Sequence, residues 1–161
     1  MFVFSLKAAN IKKMLLIILA AILILTGAFV LLKRGGESKS TVKNGMNLKA
    51  ETAEERIAFL SQFGYEVTQD PLKVEEVIIP EKFDETYTQY NEIQKTQNFD
   101  LEKYKGCRVK KWTYEVTNYK GYENSDGIIE ANLLIYNSLV IGADIQCLEQ
   151  DGFIKALNDK S

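Results

Sequence analysis

Nineteen consecutive residues, Met14 to Leu32 (MLLIILAAILILTGAFVLL), carry no charge, and Thr26 is the only polar side chain among them. A helix of that length reaches about 28 Å, close to the roughly 30 Å of bilayer hydrocarbon. Lys12 and Lys13 close one end and Lys33 and Arg34 the other, where their long stems let the charges reach the headgroups. A buried helix of a soluble domain is the plainer reading, and 19 residues apolar on all sides fit it poorly. The pattern predicts a transmembrane helix over 14–32, preceded by a short tail over 1–13. A cleaved signal peptide is the competing reading, because Thr26 and Ala28 are small enough for a cleavage site. Phe29 to Leu32 then follow where a polar segment is expected, and no cysteine stands near residue 30 to take a lipid.

The span also divides the charge. The whole chain holds 20 Lys and Arg, 22 Asp and Glu and no histidine, for a formal charge of −2. Up to Leu32 there are three lysines and no acid; the rest holds 17 basic and 22 acidic side chains, a net −5. The near-neutral total therefore describes neither part. Close to the membrane, three Lys precede the span, and Lys33, Arg34, Lys39, Lys43 and Lys49 follow it. That count does not favour an outside C-terminal domain, although the N-terminal amine narrows the difference. The short tail with its basic cluster just before the apolar run has the layout of an uncleaved signal-anchor, and the expectation is N-terminus in, domain out. The missing histidines remove Ser–His–Asp and Cys–His nucleophiles, His-ligated zinc and His-based pH switching.

Residues 33–50 (KRGGESKSTVKNGMNLKA) are polar and glycine-containing and read as a flexible tether. The globular domain is expected over 51–161, long enough to bury one core without metal or disulfide. Thr52 with Glu55 three residues on has capping-box spacing, Ala53, Ile57, Leu60 and Phe63 make a helical stripe, and Gly64 can end it. Tyr65 to Thr68 and Val74 to Ile79 read as extended. Phe83, Tyr87, Tyr90 and Ile93 recur at helical intervals, with the tyrosine hydroxyls at the core margin.

Beyond residue 107 the period changes to two. Trp112, Tyr114 and Val116 share one face of a first strand. Ile129, Ala131, Leu133 and Ile135 share one face of a second. Leu139, Ile141, Ala143, Ile145 and Cys147 share one face of a third, opposite Val140, Gly142, Asp144 and Gln146. Asn137–Ser138 is a two-residue hairpin turn. Leu148 to Leu157 is expected to pack as a short helix or turn. The fold class is α+β: two helices, on one face, packed on a mostly antiparallel sheet that ends in a three-stranded meander. In such a meander Cys107 and Cys147 lie at opposite ends of the sheet, too far apart for a disulfide.

Little in the chain carries chemistry. Glu54/Glu55, Glu75/Glu76 and Asp84/Glu85 are sequence neighbours on solvated faces, whereas acid–base pairs work across a cleft. Asn124 to Gly127 has oxygen ligands but too few carboxylates for a calcium loop and reads as a turn. Gly142 reads as a bulge or a close backbone approach rather than a phosphate loop. Nothing calls for a cofactor. The candidate partner-binding surface is aromatic, Trp112, Tyr119 and Tyr122 with interleaved lysines, together with Asp144. An acidic domain outside the membrane argues against nucleic acid and for a carbohydrate or peptide contact.

The segments RIAFLSQFGYEV, IPEKFDETYTQYNEIQKTQNFDLEKYKG, TYEVTNY, ANLLIYNSLVIGADI and the closing DGF cover most of the region from Arg56 to Leu157. In that order they resemble an uncharacterised Firmicutes, mainly clostridial, family of small membrane-anchored proteins with a domain of unknown function. The resemblance implies an N-terminal anchor and an extracytoplasmic domain, and it brings no activity and no site residues. Ala143 stands where a second glycine is expected before Asp144, and Cys107 where a basic residue is usual. The expected function is a membrane-anchored extracytoplasmic binding or scaffolding module, with the lipid bilayer met through 14–32 and an envelope protein as partner. Its alternatives are a histidine-free carboxylate enzyme acting on cell-wall or peptide material, and a membrane-tethered cytoplasmic adaptor. Oligomeric state is not set by these features.

Overall fold

The computed structural model describes residues 42, 43, 45–123 and 125–159. The predicted tail 1–13, the span 14–32 and most of the tether lie outside these residues. No helix among the described residues is long and apolar enough to cross a membrane.

Two short strands, β1 (Val42–Lys43) and β2 (Met46–Asn47), form a hairpin. Helix α1 follows (Ala53–Ser61), then β3 (Lys73–Ile78), α2 (Glu85–Thr96), a 3-10 turn at Leu101–Tyr104, β4 (Arg108–Glu115), β5 (Ile129–Tyr136), β6 (Leu139–Cys147) and β7 (Ile154–Lys155). Strands β3 to β7 make one antiparallel sheet in chain order. The meander is present as expected. Asn137 and Ser138 both take positive φ, 48° and 63°, the geometry of a tight hairpin turn. Both cysteines are free.

Four expectations need correction. The first is the start of the domain: Leu48 and Ala50 are buried in the core, and Val140 N–H donates to Leu48 O while Ala50 N–H donates to Ser138 O. The C-terminal end of the expected tether is thus part of the fold. The second is the placement of the helices. Phe59 and Leu60 of α1 pack with Tyr114, Leu133 and Ile145 on one sheet face, whereas Tyr87 and Tyr90 of α2 pack with Val109, Leu134 and Ile141 on the other. The sheet is covered on both sides because its strands carry apolar residues of both parities, Leu133 beside Leu134 and Val140 beside Ile141.

The third is the face assignment in β6. Leu134 pairs with Gly142 but Ile135 pairs with Val140, so Ile141 is a bulge residue. The extra residue moves Ile141 to the α2 side and leaves Val140 on the α1 side with Ala143. The fourth is the C-terminal segment: the turn is present at residues 149–151, but β7 rather than a helix follows it, and the segment supplies the buried Leu157.

Helix starts follow the sequence closely. Thr52 Oγ1 accepts from Glu55 N–H and the Glu55 carboxylate accepts from Thr52 N–H, a reciprocal cap of α1. Asp84 caps α2 by accepting from Tyr87 N–H at 2.7 Å. The aromatic stripe Phe83, Tyr87 and Tyr90 does face the sheet, but the deepest α2 side chains are polar, Asn91 and Gln94. Their burial has a reason in the sheet edge. The β6 edge is covered by residues 48–50 near its start and by β7 near its end. Between them, Ala143 N–H donates to Gln94 Oε1 and Ala143 O accepts from Gln97 Nε2, so side-chain amides complete the pairing that a neighbouring strand would otherwise supply.

Candidate functional site

Three places gather polar or aromatic side chains, and the four expected site residues are divided among them.

On the α2 side of the sheet, Thr113, Asn132 and Asp144 stand opposite one another on β4, β5 and β6. Side chains directly opposite on adjacent strands touch. Thr113 Oγ1 donates to Asn132 Oδ1 at 2.8 Å, Asn132 Nδ2 donates to Asp144 Oδ1 at 2.8 Å, and Tyr90 Oη donates to Asp144 Oδ2 at 2.6 Å. All three sheet residues are buried. Burial pushes the Asp144 carboxyl above its ordinary range, against the opposing pull of the Tyr90 and Asn132 hydrogen bonds and the Lys111 charge. Burial, followed by the neighbouring Asp144 charge, pushes the Tyr90 phenol well up. Both Asp144 oxygens are occupied by donors from the chain itself. The residue serves as a fixed acceptor joining sheet to helix rather than as a surface contact, so the structure separates it from the aromatic candidates.

Gly142, two positions before it on the same strand, is paired with Leu134 beside the bulge residue Ile141, and what comes close to it is side chain rather than backbone. A Cβ there would lie 3.1 Å from Leu101, 3.2 Å from Gln94 Oε1 and 3.2 Å from Leu134.

The second place lies on the other side of the sheet, beyond the end of β4. Tyr119 packs against Tyr65 with parallel rings, centroids 6.4 Å apart, and meets Tyr122 at 6.0 Å and Phe153 at 5.6 Å. Phe63, Gly64, Tyr65, Asn118, Tyr119, Lys120 and Asp159 enclose an open cleft of about 430 Å³. The segment is held in place because Asn118 Oδ1 accepts from Glu66 N–H while its Nδ2 donates to Gly64 O. Tyr122 donates to Glu149 at 3.0 Å, and its phenol, engaged first by the Cys147 thiol and then by Glu149, is raised to about 12. Tyr119 and Tyr122 are thus brought together. Tyr65, Phe63 and Phe153 were not among the expected residues; each lies more than 30 positions from Tyr119 in the chain, and only the fold joins them.

Trp112 lies elsewhere, in a cleft of about 360 Å³ whose lining includes Glu51, Arg56, Glu76, Arg108, Lys110 and Ser138. The Arg56 guanidinium stacks on the Trp112 ring with Cζ 3.5 Å from its centroid. Arg56 is only 6% exposed. Its Nε donates to Tyr114 Oη at 2.8 Å, and its Nη1 donates to the carbonyls of Ala50 and Glu51. The sequence holds one signal for it: an arginine on the apolar side of the α1 stripe, one position before Ile57.

Among the described residues, no group of three or more Cys, Asp and Glu side chains is arranged to hold a metal ion.

A family profile described as "Domain of unknown function (DUF4830)" matches residues 59–145, from the C-terminal part of α1 through most of β6. No curated protein and no solved structure matches the chain.

Proposed function

The chain belongs to the DUF4830 family, a domain of unknown function, and from that premise we propose that it is a membrane-anchored extracytoplasmic binding module whose partner is an envelope protein. In this reading the 14–32 run holds the domain at the bilayer, as in the small clostridial proteins of the Firmicutes family it resembles.

The observation that carries the reading is the aromatic cleft at Tyr65 and Tyr119. Aromatic rings supply large contact area at small entropic cost, and the rim of Asn118, Lys120 and Asp159 supplies polar contacts around them. Asp144, the carboxyl that burial raises, lines neither of the two clefts described and has its acceptors filled. A carboxylate enzyme needs such a group within reach of a substrate.

The test is photo-cross-linking in native membranes from residue 120, in place of the exposed Lys120. The expected result is a discrete adduct with an envelope protein. A control at exposed Glu92, on α2, gives none. Equal adducts from both positions would refute the cleft as the contact. Partly exposed Cys107 tests the orientation. A membrane-impermeant thiol reagent labels it on intact cells if the domain lies outside. Labelling only after lysis would move the domain to the cytoplasm.

A further inference from the structure

We propose that the cleft lined by the stacked Arg56 and Trp112 binds a carboxylate-bearing ligand. A buried cation is costly unless it is paired. Arg56 is nine-tenths buried, yet among the described residues no carboxylate pairs with it. Its acceptors are a phenol and two carbonyls, and Glu51 meets it with the backbone oxygen rather than the side chain.

Those three bonds use the Nε hydrogen and both Nη1 hydrogens of a five-donor group. The two Nη2 hydrogens remain for whatever enters the cleft. Nη2 is not sealed in: among the described residues the one buried side-chain nitrogen or oxygen without a partner is Gln94 Nε2. The guanidinium is also pre-oriented. Trp112 holds one of its planar faces, and three hydrogen bonds fix its rotation, so a ligand would not have to order it.

The charges on the cleft wall set the ligand class. Arg56, Arg108 and Lys110 face Glu51 and Glu76, and Arg108 is already paired with Glu76. Lys110 makes no ion pair among the described residues. The wall therefore carries one net positive charge, which matches a monoanionic carboxylate better than a phosphate dianion. A carboxylate on Arg56 Nη2 would have Lys110 on the same wall and the Ser138 hydroxyl as a further donor.

Trp112 is the single tryptophan of the chain, so its fluorescence reports on this cleft alone. The full chain in detergent is titrated with N-acetyl-alanyl-alanine, with the C-terminal amide of the same peptide, and with inorganic phosphate. The expected result is a saturable change for the free acid in the millimolar range or tighter, none for the amide, and weaker binding of phosphate. Lys110→Gln, at an exposed position, should weaken the acid several-fold while leaving the circular dichroism spectrum unchanged. Equal responses to acid and amide, no response to the acid, tighter binding of phosphate, or an unaltered titration in Lys110→Gln would each overturn the assignment. Arg56→Lys, which keeps the charge and loses the stacked fork, should abolish saturation where it folds.

Discussion

Tyr90 donates its hydroxyl hydrogen to Asp144 Oδ2 at 2.6 Å, and through this bond the middle of α2 is tied to the polar row that crosses the sheet. Removing the donor leaves a buried carboxyl oxygen without a partner. Tyr90→Phe should cost about 1–3 kcal/mol, the range for an orphaned buried polar group. Urea unfolding of the variant checks it. The double variant Tyr90→Phe/Asp144→Asn should lose less than the sum of the two single losses, since both act on the same bond.

The raised Asp144 carboxyl implies a pH dependence of known sign. The folded state holds this proton more tightly than the unfolded chain. Its contribution to stability is therefore fully present below the ordinary aspartate value and is lost as pH rises from there through the raised folded value. In Asp144→Asn this component is absent. The difference in unfolding free energy, wild type minus variant, should fall as pH rises through that window; a difference that rises with pH would refute the assignment.

Gly142 sits where α2, the 3-10 turn and β5 converge, with three side-chain atoms within 3.2 Å of a built Cβ. Gly142→Ala should destabilise by about 1–3 kcal/mol through overpacking, although alanine is otherwise the better strand residue. A thermal shift assay measures the loss. An unchanged midpoint would mean that Leu101 and Gln94 move aside freely.

Ser138 holds φ 63° in the β5–β6 turn, a conformation that costs a side-chain-bearing residue. Ser138→Gly removes that strain and leaves the backbone bond from Ala50 intact. Asparagine followed by glycine is the favoured pair for a two-residue turn of this kind, and the variant should gain about 0.5–1 kcal/mol at equilibrium. A lowered unfolding midpoint would count against this account.

Features set by neighbours in sequence were legible from the chain. The cap at Thr52, the turn at Asn137–Ser138 and the alternation in β4 and β5 depend on residues within a few positions of one another. The bulge at Ile141 was not legible, because one inserted residue leaves the local apolar pattern intact and changes only which face it meets. The same limit applies to the site. Tyr119 and Tyr122 are close in sequence and do meet, whereas Trp112 belongs to another cleft because β4 carries it well away from them.

The apolar 14–32 run, the absence of histidine chemistry, the α+β class and the meander could all be read from the chain alone, since they follow from composition and short-range periodicity. The placement of the helices on opposite faces, the role of Asp144 as an internal acceptor rather than a contact, and the burial of Arg56 on Trp112 without a salt-bridge partner among the described residues came from the three-dimensional fold. These depend on which distant residues come within bonding distance. Burial and partnering give a charged group its meaning, and both are properties of the assembled domain.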